Sequence, residues 1–226
     1  MKFTYYGHSA FVIETGGKKL LFDPFITHNP LAKNIDVTKI EADYIFVSHG
    51  HGDHIGDTVD IAKRTGATVV VPAEIAGWLQ KQGVEKAHPM NHGAPIAFEF
   101  GTVRGVNAIH SSSLPDGTYA GNPLGFVFTT NEGNFYFAGD TALTMDMQLI
   151  PLWTNLNFAI LPIGGNFTMD VNDAIIASSF IKCNNIIGVH YDTFGLIKIN
   201  HEECLEKFTA AGKKLLLLNA GDTINM

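Results

Sequence analysis

After the apolar run Tyr44 to Val47 the chain reads His49-Gly50-His51-Gly52-Asp53-His54, and a helix-like stretch follows. No other feature constrains the chain as much. Three imidazoles and a carboxylate this close together cannot all be buried as neutral core groups without partners, because an unpaired polar group in an apolar interior is costly. Gly50 and Gly52 are expected to let the backbone turn tightly enough to aim alternate side chains at one point. Imidazole nitrogen and carboxylate oxygen, with no thiolate, suit a divalent ion: zinc first, with manganese or iron also fitting.

The flanking sequence begins as β-meander. Residues 2–6, 10–14 and 19–23 read as short strands parted by Gly7-His8 and Gly16-Gly17. The polar connection 24–38 is long for a compact domain and is expected to flank a site. Strand 43–48, helix 55–65, strand 67–71 and helix 73–82, ended by Gly83, come next. The second half repeats the plan, with strands at 96–100, 102–109, 124–130 and 134–138. Helices at 143–152, 171–183 and 201–211 then alternate with strands at 158–162, 186–190 and 214–218. Asp170 with Asp173, and Asn200 with Glu203, make helix starts of the capping-box kind. Two sheets packed face to face with helices outside satisfy both the alternating and the fully apolar strands. The expectation is an α/β (α+β) chain, one domain over residues 1–226, built as a four-layer αββα sandwich of two mixed β-sheets flanked by helices.

With 46% hydrophobic residues the chain can bury a substantial core. Its net charge is −7, and its only basic doublets are Lys18-Lys19 and Lys213-Lys214, which argues against a nucleic-acid partner. Bound divalent ions would still add positive charge where a small, even anionic, substrate would sit. Cys183 and Cys204, neither in a Cys-x-x-Cys pattern, read as small buried hydrophobes in a reducing compartment. No run approaches the ~20 apolar residues of a membrane span, and residues 1–14 lack a basic-then-apolar leader. A cytoplasmic protein with no membrane partner is expected; exposed sheet edges leave room for a homo-oligomer.

The pattern His49-x-His51-x-Asp53-His54 resembles the signature of the metallo-β-lactamase superfamily. That resemblance implies two metal ions, with His49 and His51 serving one and Asp53 and His54 the other. It further implies His110 as the third ligand of the first ion, Asp140 as a bridge, and His190 as completing the second site. Each of these three residues follows an apolar strand, as the His-rich loop does, so ligands at strand ends can converge while the strands hold them rigid. Within the superfamily, Gly7-His8-Ser9-Ala10, Gly139-Asp140-Thr141, Pro162-Ile163-Gly164-Gly165 and His190-Tyr191-x-Thr193-Phe194 resemble small hydrolases related to the ascorbate-6-phosphate lactonase. The flavodiiron branch typically carries Glu where His51 stands, which disfavours an oxygen-reducing role.

The expected chemistry is hydrolysis of an ester, lactone or phosphoester bond of a small molecule by a metal-bridging hydroxide. Asp53 is expected to orient that nucleophile and His8 to protonate the leaving group. Asp23, at a strand end, is a candidate acceptor for the outer N–H of a ligand histidine, and equally reads as a turn-starting Asp before Pro. Asn166, Thr168 and Thr141 are candidates for lining the pocket, against a simpler reading of Asp170 capping the following helix. His88 and His92 flank a Pro-Met-Asn turn, His201 is expected to be solvated, and His28 is undecided. The competing functions are a phosphodiesterase acting on nucleotides or RNA ends and a non-catalytic metal-binding protein.

Overall fold

The computed structural model describes residues 1–226. A meander of β1 (Lys2–Gly7), β2 (Ala10–Thr15) and β3 (Lys18–Phe22) leads into β4 (Tyr44–Phe46). Helices α1 (Gly52–Ile55) and α2 (Thr58–Thr65), β5 (Thr68–Pro72), α3 (Ala73–Lys81) and β6 (Ala87–Met90) follow. The second half runs β7 (Ile96–Phe98), β8 (Gly101–Asn107), β9 (Leu124–Thr130), β10 (Gly133–Phe137) and β11 (Phe158–Pro162). It continues through α4 (Val171–Phe180), β12 (Asn185–Val189), α5 (His201–Ala210) and β13 (Lys214–Leu216), and β14 (Thr223–Asn225) ends the chain. The strands form two seven-stranded sheets, β14-β1-β2-β3-β4-β5-β6 and β13-β12-β11-β10-β9-β8-β7.

Each sheet is mixed in the same way. Pairing is antiparallel from β14 to β3 and parallel from β3 to β6. In the second sheet it is antiparallel from β7 to β10 and parallel from β10 to β13. Strand alternation sorts side chains into three apolar layers. Phe46 of β4 and Phe135 and Phe137 of β10 point between the sheets. Their neighbours Ile45 and Val47 pack outward against Ile61 and Leu79 of α2 and α3. Tyr136 packs outward in the layer holding Ala177 of α4 and Phe208 of α5. The result is the expected αββα order.

The layer between the sheets is aromatic, and ten of the 16 phenylalanines lie in it. Phe22 shows how the sheets are coupled. Its ring stacks on Phe11 at 4.5 Å and Phe46 at 5.3 Å within its own sheet. It also meets the edges or faces of Phe128 at 5.4 Å and Phe137 at 5.6 Å in the other sheet.

Several elements differ from the sequence reading. The single helix expected over 55–65 is broken, because the Asp57 carboxylate accepts from the backbone N–H of Ile26 (2.7 Å) and Thr27 (3.0 Å). The Asp57 N–H also donates to Pro24 O at 2.7 Å. These bonds dock the chain onto the 24–27 loop at Gly56, where a Cβ would lie 2.8 Å from Pro24 O. The helix expected over 143–152 is a 3-10 helix, Met145–Leu152, with Pro151 inside it; proline lacks the N–H that an α-helical turn needs. Strand β6 reaches into the Pro-Met-Asn segment where the sequence predicts a turn between His88 and His92; its Pro89 is tolerated because β6 is an edge strand. β14, too short for a periodic signal, pairs with β1. No helix is long and apolar enough to cross a membrane.

Truncation of Phe22 to Ala should lower unfolding stability by about 3–5 kcal/mol, since it opens a cavity against both sheets. Urea titration checks this; a loss below about 1 kcal/mol would show that the ring does not couple them.

Candidate metal centre

Strands β1, β3, β4, β8, β10 and β12 run in one direction within their sheets, so their carboxyl ends share an edge. Just beyond those ends stand His8, Asp23, the His49–His54 loop, His110, Asp140 and His190. Backbone bonds tie the two edges together: His190 N–H donates to His8 O and Leu124 N–H to Ser48 O, each at 2.9 Å. β8 ends at Asn107, so His110 lies three residues past the strand rather than closing it. Its approach is fixed by the Ile109 N–H, which donates to the Thr141 hydroxyl at 2.9 Å. Thr141 is thus a positioning residue for this loop.

Asp140 is the hub. Its Oδ2 lies 2.9 Å from His190 Nε2, 3.2 Å from His54 Nε2, 3.6 Å from His110 Nε2 and 4.0 Å from His49 Nε2. Two groups of donor atoms flank it, each with its atoms within 4.8 Å of one another: His49, His51 and His110 in one, and His8, Asp53, His54 and His190 in the other. The structure therefore brings together all seven expected ligand residues and adds His8. Two imidazole ligands on one tetrahedral ion, each at about 2.0–2.1 Å, sit about 3.3 Å apart; His49 Nε2 and His51 Nδ1 are 3.0 Å apart.

The surrounding hydrogen bonds point the lone pairs inward. Asp23 is fully buried. Its carboxylate accepts from the Ser48 N–H (2.7 Å), the Ser48 hydroxyl (2.6 Å) and His54 Nδ1 (2.7 Å). With its proton given to Asp23, the Ser48 hydroxyl accepts from His49 Nδ1–H at 2.9 Å. One carboxylate thus sets the tautomer on both sides, leaving Nε2 of His49 free for a cation. Ser48 carried no sequence signal that separates it from an ordinary strand residue.

Protonation follows the same geometry. Burial, reinforced by His54, pushes His49 well below the ordinary imidazole value, and burial lowers His51 and His110 as well. Burial alone would raise Asp140, yet His190 and His54 hold it well below the carboxylate range. Burial likewise opposes ionisation of Asp53, but the contact with His8 keeps its pKa low. For His54 burial is overcome by Asp140 and Asp23, which raise it. Burial, with His190 beside it, lowers His8 to about 4. Ionised carboxylates among mostly neutral imidazoles form a cation-binding set. The buried atoms His8 Nε2, His54 Nε2, Asp140 Oδ1 and His190 Nδ1 have no hydrogen-bond partner, and a cation fits three of them directly.

A cavity of about 340 Å³ opens over the cluster, lined by His51, Asp53, His110, Asp140 and His190 together with Ser111 and Phe167. Its size suits a small molecule, and no Lys or Arg lines it. Phe167 and Ser111 escaped the sequence reading; the only signal was an apolar side chain in the Gly164–Met169 loop. Asn166 is exposed, Thr168 is not among the lining residues, and Asp170 caps α4 as expected. His8 is fully buried behind Asp53 and does not line the cavity. A leaving-group role for His8 would therefore have to act through Asp53, which does line the cavity.

The two loop glycines also act differently from expectation. Neither adopts a positive φ. A Cβ on Gly50 would collide with Ala120 Cβ, so its role is close packing; Gly52 meets nothing within 4 Å and simply starts α1. The other histidines lie outside the cluster: His28 is exposed, His92 donates to Pro123 O at 3.1 Å, and His88 packs on Phe98. His201 is half exposed and pairs with Asp192 at 2.6 Å.

Residues 18–191 match the β-lactamase superfamily domain. A metal-dependent hydrolase of Flavobacterium johnsoniae is 58% identical over 226 residues, all of both chains. The structure of a metallo hydrolase from the archaeon Ignicoccus hospitalis superposes with a TM-score of 0.89 at 34% identity, covering 99% of this chain and 97% of that one. An isothiocyanate hydrolase from Delia radicum gut bacteria shares the fold, with a TM-score of 0.81 at 20% identity over 100% and 99% of the two chains. Fold, histidine cluster and relatives agree, and the chain belongs to the metal-dependent hydrolases of the β-lactamase superfamily.

Proposed function

We propose that this hydrolase holds two divalent ions and cleaves small, uncharged esters or lactones. His49, His51 and His110 would hold one ion and Asp53, His54 and His190 the other, with Asp140 between them. When bound, such ions supply Lewis acidity to a substrate oxygen and acidify water, so that a nucleophile exists near neutral pH. Zinc suits the three-imidazole side; manganese or iron also fits the side that carries Asp53.

The observation that carries the substrate class is the wall of the cavity. Asp53, 30% exposed at its side chain, lines it and can orient the attacking water. Ser111, whose hydroxyl lies 3.5 Å from His51 Nε2, offers a hydrogen bond at the rim. Phe167 provides an apolar face for a substituent. Recognition of phosphate usually employs Arg or Lys, and neither lines this cavity. The same absence weighs against the nucleotide phosphodiesterase reading and against an anionic substrate held by the protein itself. The lactonase-like reading is retained in its chemistry, an internal ester, without the phosphate.

A panel of neutral lactones and esters beside cyclic nucleotides should show turnover of the former and loss of it on chelation; preferential cleavage of the nucleotides would reverse the assignment. Asp140→Ala should fall clearly below the roughly two ions per chain expected of wild type, read by elemental analysis, and equal metal content would remove Asp140 from the site. Asp23→Asn should weaken metal binding by about 10–100-fold, as loss of an orienting carboxylate does. For Phe167→Ala we expect KM to rise roughly tenfold with kcat little changed, the signature of lost apolar substrate contact.

A further inference from the structure

His8 is the one member of the cluster that the ligand pattern of the loop and strand ends leaves without a task. Its ring is fully buried. It is held edge-on by Phe25 at 5.8 Å and Phe194 at 5.6 Å, and lies 4.2 Å from the His190 ring. The backbone at His8 is left-handed, with φ of 57° after Gly7 at 99°. Histidine is among the few non-glycine residues that tolerate this conformation, and here it turns the ring into the cluster.

The two ring nitrogens have different surroundings. Nδ1 lies 2.8 Å from the Thr193 hydroxyl. That hydroxyl also lies 3.3 Å from Tyr191 O, to which it can donate, an arrangement that favours the tautomer with the hydrogen on Nδ1. The lone pair of Nε2 is then aimed into the cluster, where it meets Asp53 Oδ2 at 3.3 Å. No hydrogen-bond donor reaches it. A ring nitrogen of His8 and an oxygen of Asp53 this close in a buried site form a pair that one cation can coordinate together.

We infer that His8 is a further protein ligand of the second ion, joining Asp53, His54, His190 and the bridging Asp140. This rests on the two-ion reading above. For bonds of about 2.0–2.2 Å, neighbouring ligand atoms lie about 3.0–3.4 Å apart and opposite ones about 4.2 Å. The four donor atoms of His8, Asp53, His54 and His190 all lie within 4.8 Å of one another. Asp140 Oδ2 is 2.9 Å and 3.2 Å from two of them. Five protein donors exceed what a tetrahedral ion accepts, so the second position favours an ion of higher coordination number than the first, manganese(II) or iron(II) over zinc.

The test is metal binding, independent of turnover. Chelator-stripped wild type, His8→Asn and Thr193→Val are titrated with cobalt(II) and manganese(II), with affinity read by chelator competition and coordination by cobalt absorption. Asn keeps a donor near the Nδ1 position and removes Nε2; Val keeps the ring and frees its tautomer. Wild type should bind two ions. His8→Asn should retain one unchanged and lose at least tenfold in affinity for the other, with stronger cobalt bands as coordination number falls. Thr193→Val should shift the same ion in the same direction by less. Unchanged affinities and spectra in both variants would overturn the assignment and leave His8 as a partner of Asp53 alone. Fewer than two ions in wild type would instead sink the two-ion reading, and with it the assignment that rests on it.

Discussion

Asp23 and Asp140 withdraw their carboxylates from water at the edge where both sheets end, and the site is organised around satisfying them. An ionised carboxylate in a protein interior costs several kcal/mol unless it is hydrogen-bonded or paired. Asp23 meets this internally, through Ser48 and His54. Asp140 meets it only in part: its Oδ2 lies against His190 and His54 Nε2, while its Oδ1 has no partner. The first carboxylate therefore builds the frame and the second presents charge to whatever cation enters. Such an arrangement survives only if the two sheets cannot slide past one another. The phenylalanine layer supplies that rigidity, with rings such as Phe22 and Phe135 packed on neighbours from both sides.

Backbone strain collects at the same edge. Of six non-glycine residues with positive φ, His8, Asp23 and His190 belong to the cluster and Asn166 and Asp192 to the loops around it. Left-handed conformations of this kind cost roughly 1–3 kcal/mol each and persist where surrounding structure over-determines them. Here the determining contacts are explicit: His190 N–H bonds His8 O, which also accepts the buried Tyr5 hydroxyl at 2.9 Å. Two strained turns from different sheets hold each other, and the strain serves to bring their imidazoles within 4.2 Å.

Much of this was legible in the sequence because it was written in residue type and strand position. The His49–His54 loop shows by composition alone that it needs partners. His110, Asp140 and His190 each follow an apolar run, and Asp23 stands at a strand end, where an acceptor for a ligand histidine and a turn-starting Asp before Pro read alike. What stayed hidden was written only in three dimensions. Ser48 relays Asp23 to His49, and Thr193 fixes the His8 tautomer, but a hydroxyl in a strand or turn looks the same whether it relays or not. The turn at His8 places it near the site, but its burial against Asp53 cannot be read from the sequence. Helix boundaries failed for local reasons, at Gly56-Asp57, where a carboxylate seizes a distant loop, and at Pro151, where the α-helical ladder cannot close.

The division of labour within the site explains why one scaffold can serve many reactions. The donor cluster is set by strand ends, so its geometry is fixed by the most rigid part of the molecule. Substrate selection is left to loops that touch the cavity without shaping the cluster, above all the segment from Gly164 to Met169. Its ends are anchored, since Met169 N–H donates to Thr141 O at 2.9 Å and Gly165 N–H to Met169 O at 3.0 Å. Phe167, 52% exposed between those anchors, can change with little effect on the ligands below. Thr141 links the two levels, because it also receives the Ile109 N–H that places His110. A change in that loop's tether thus reaches the donor cluster through one hydroxyl and one carbonyl, while a change at its tip reaches only the substrate.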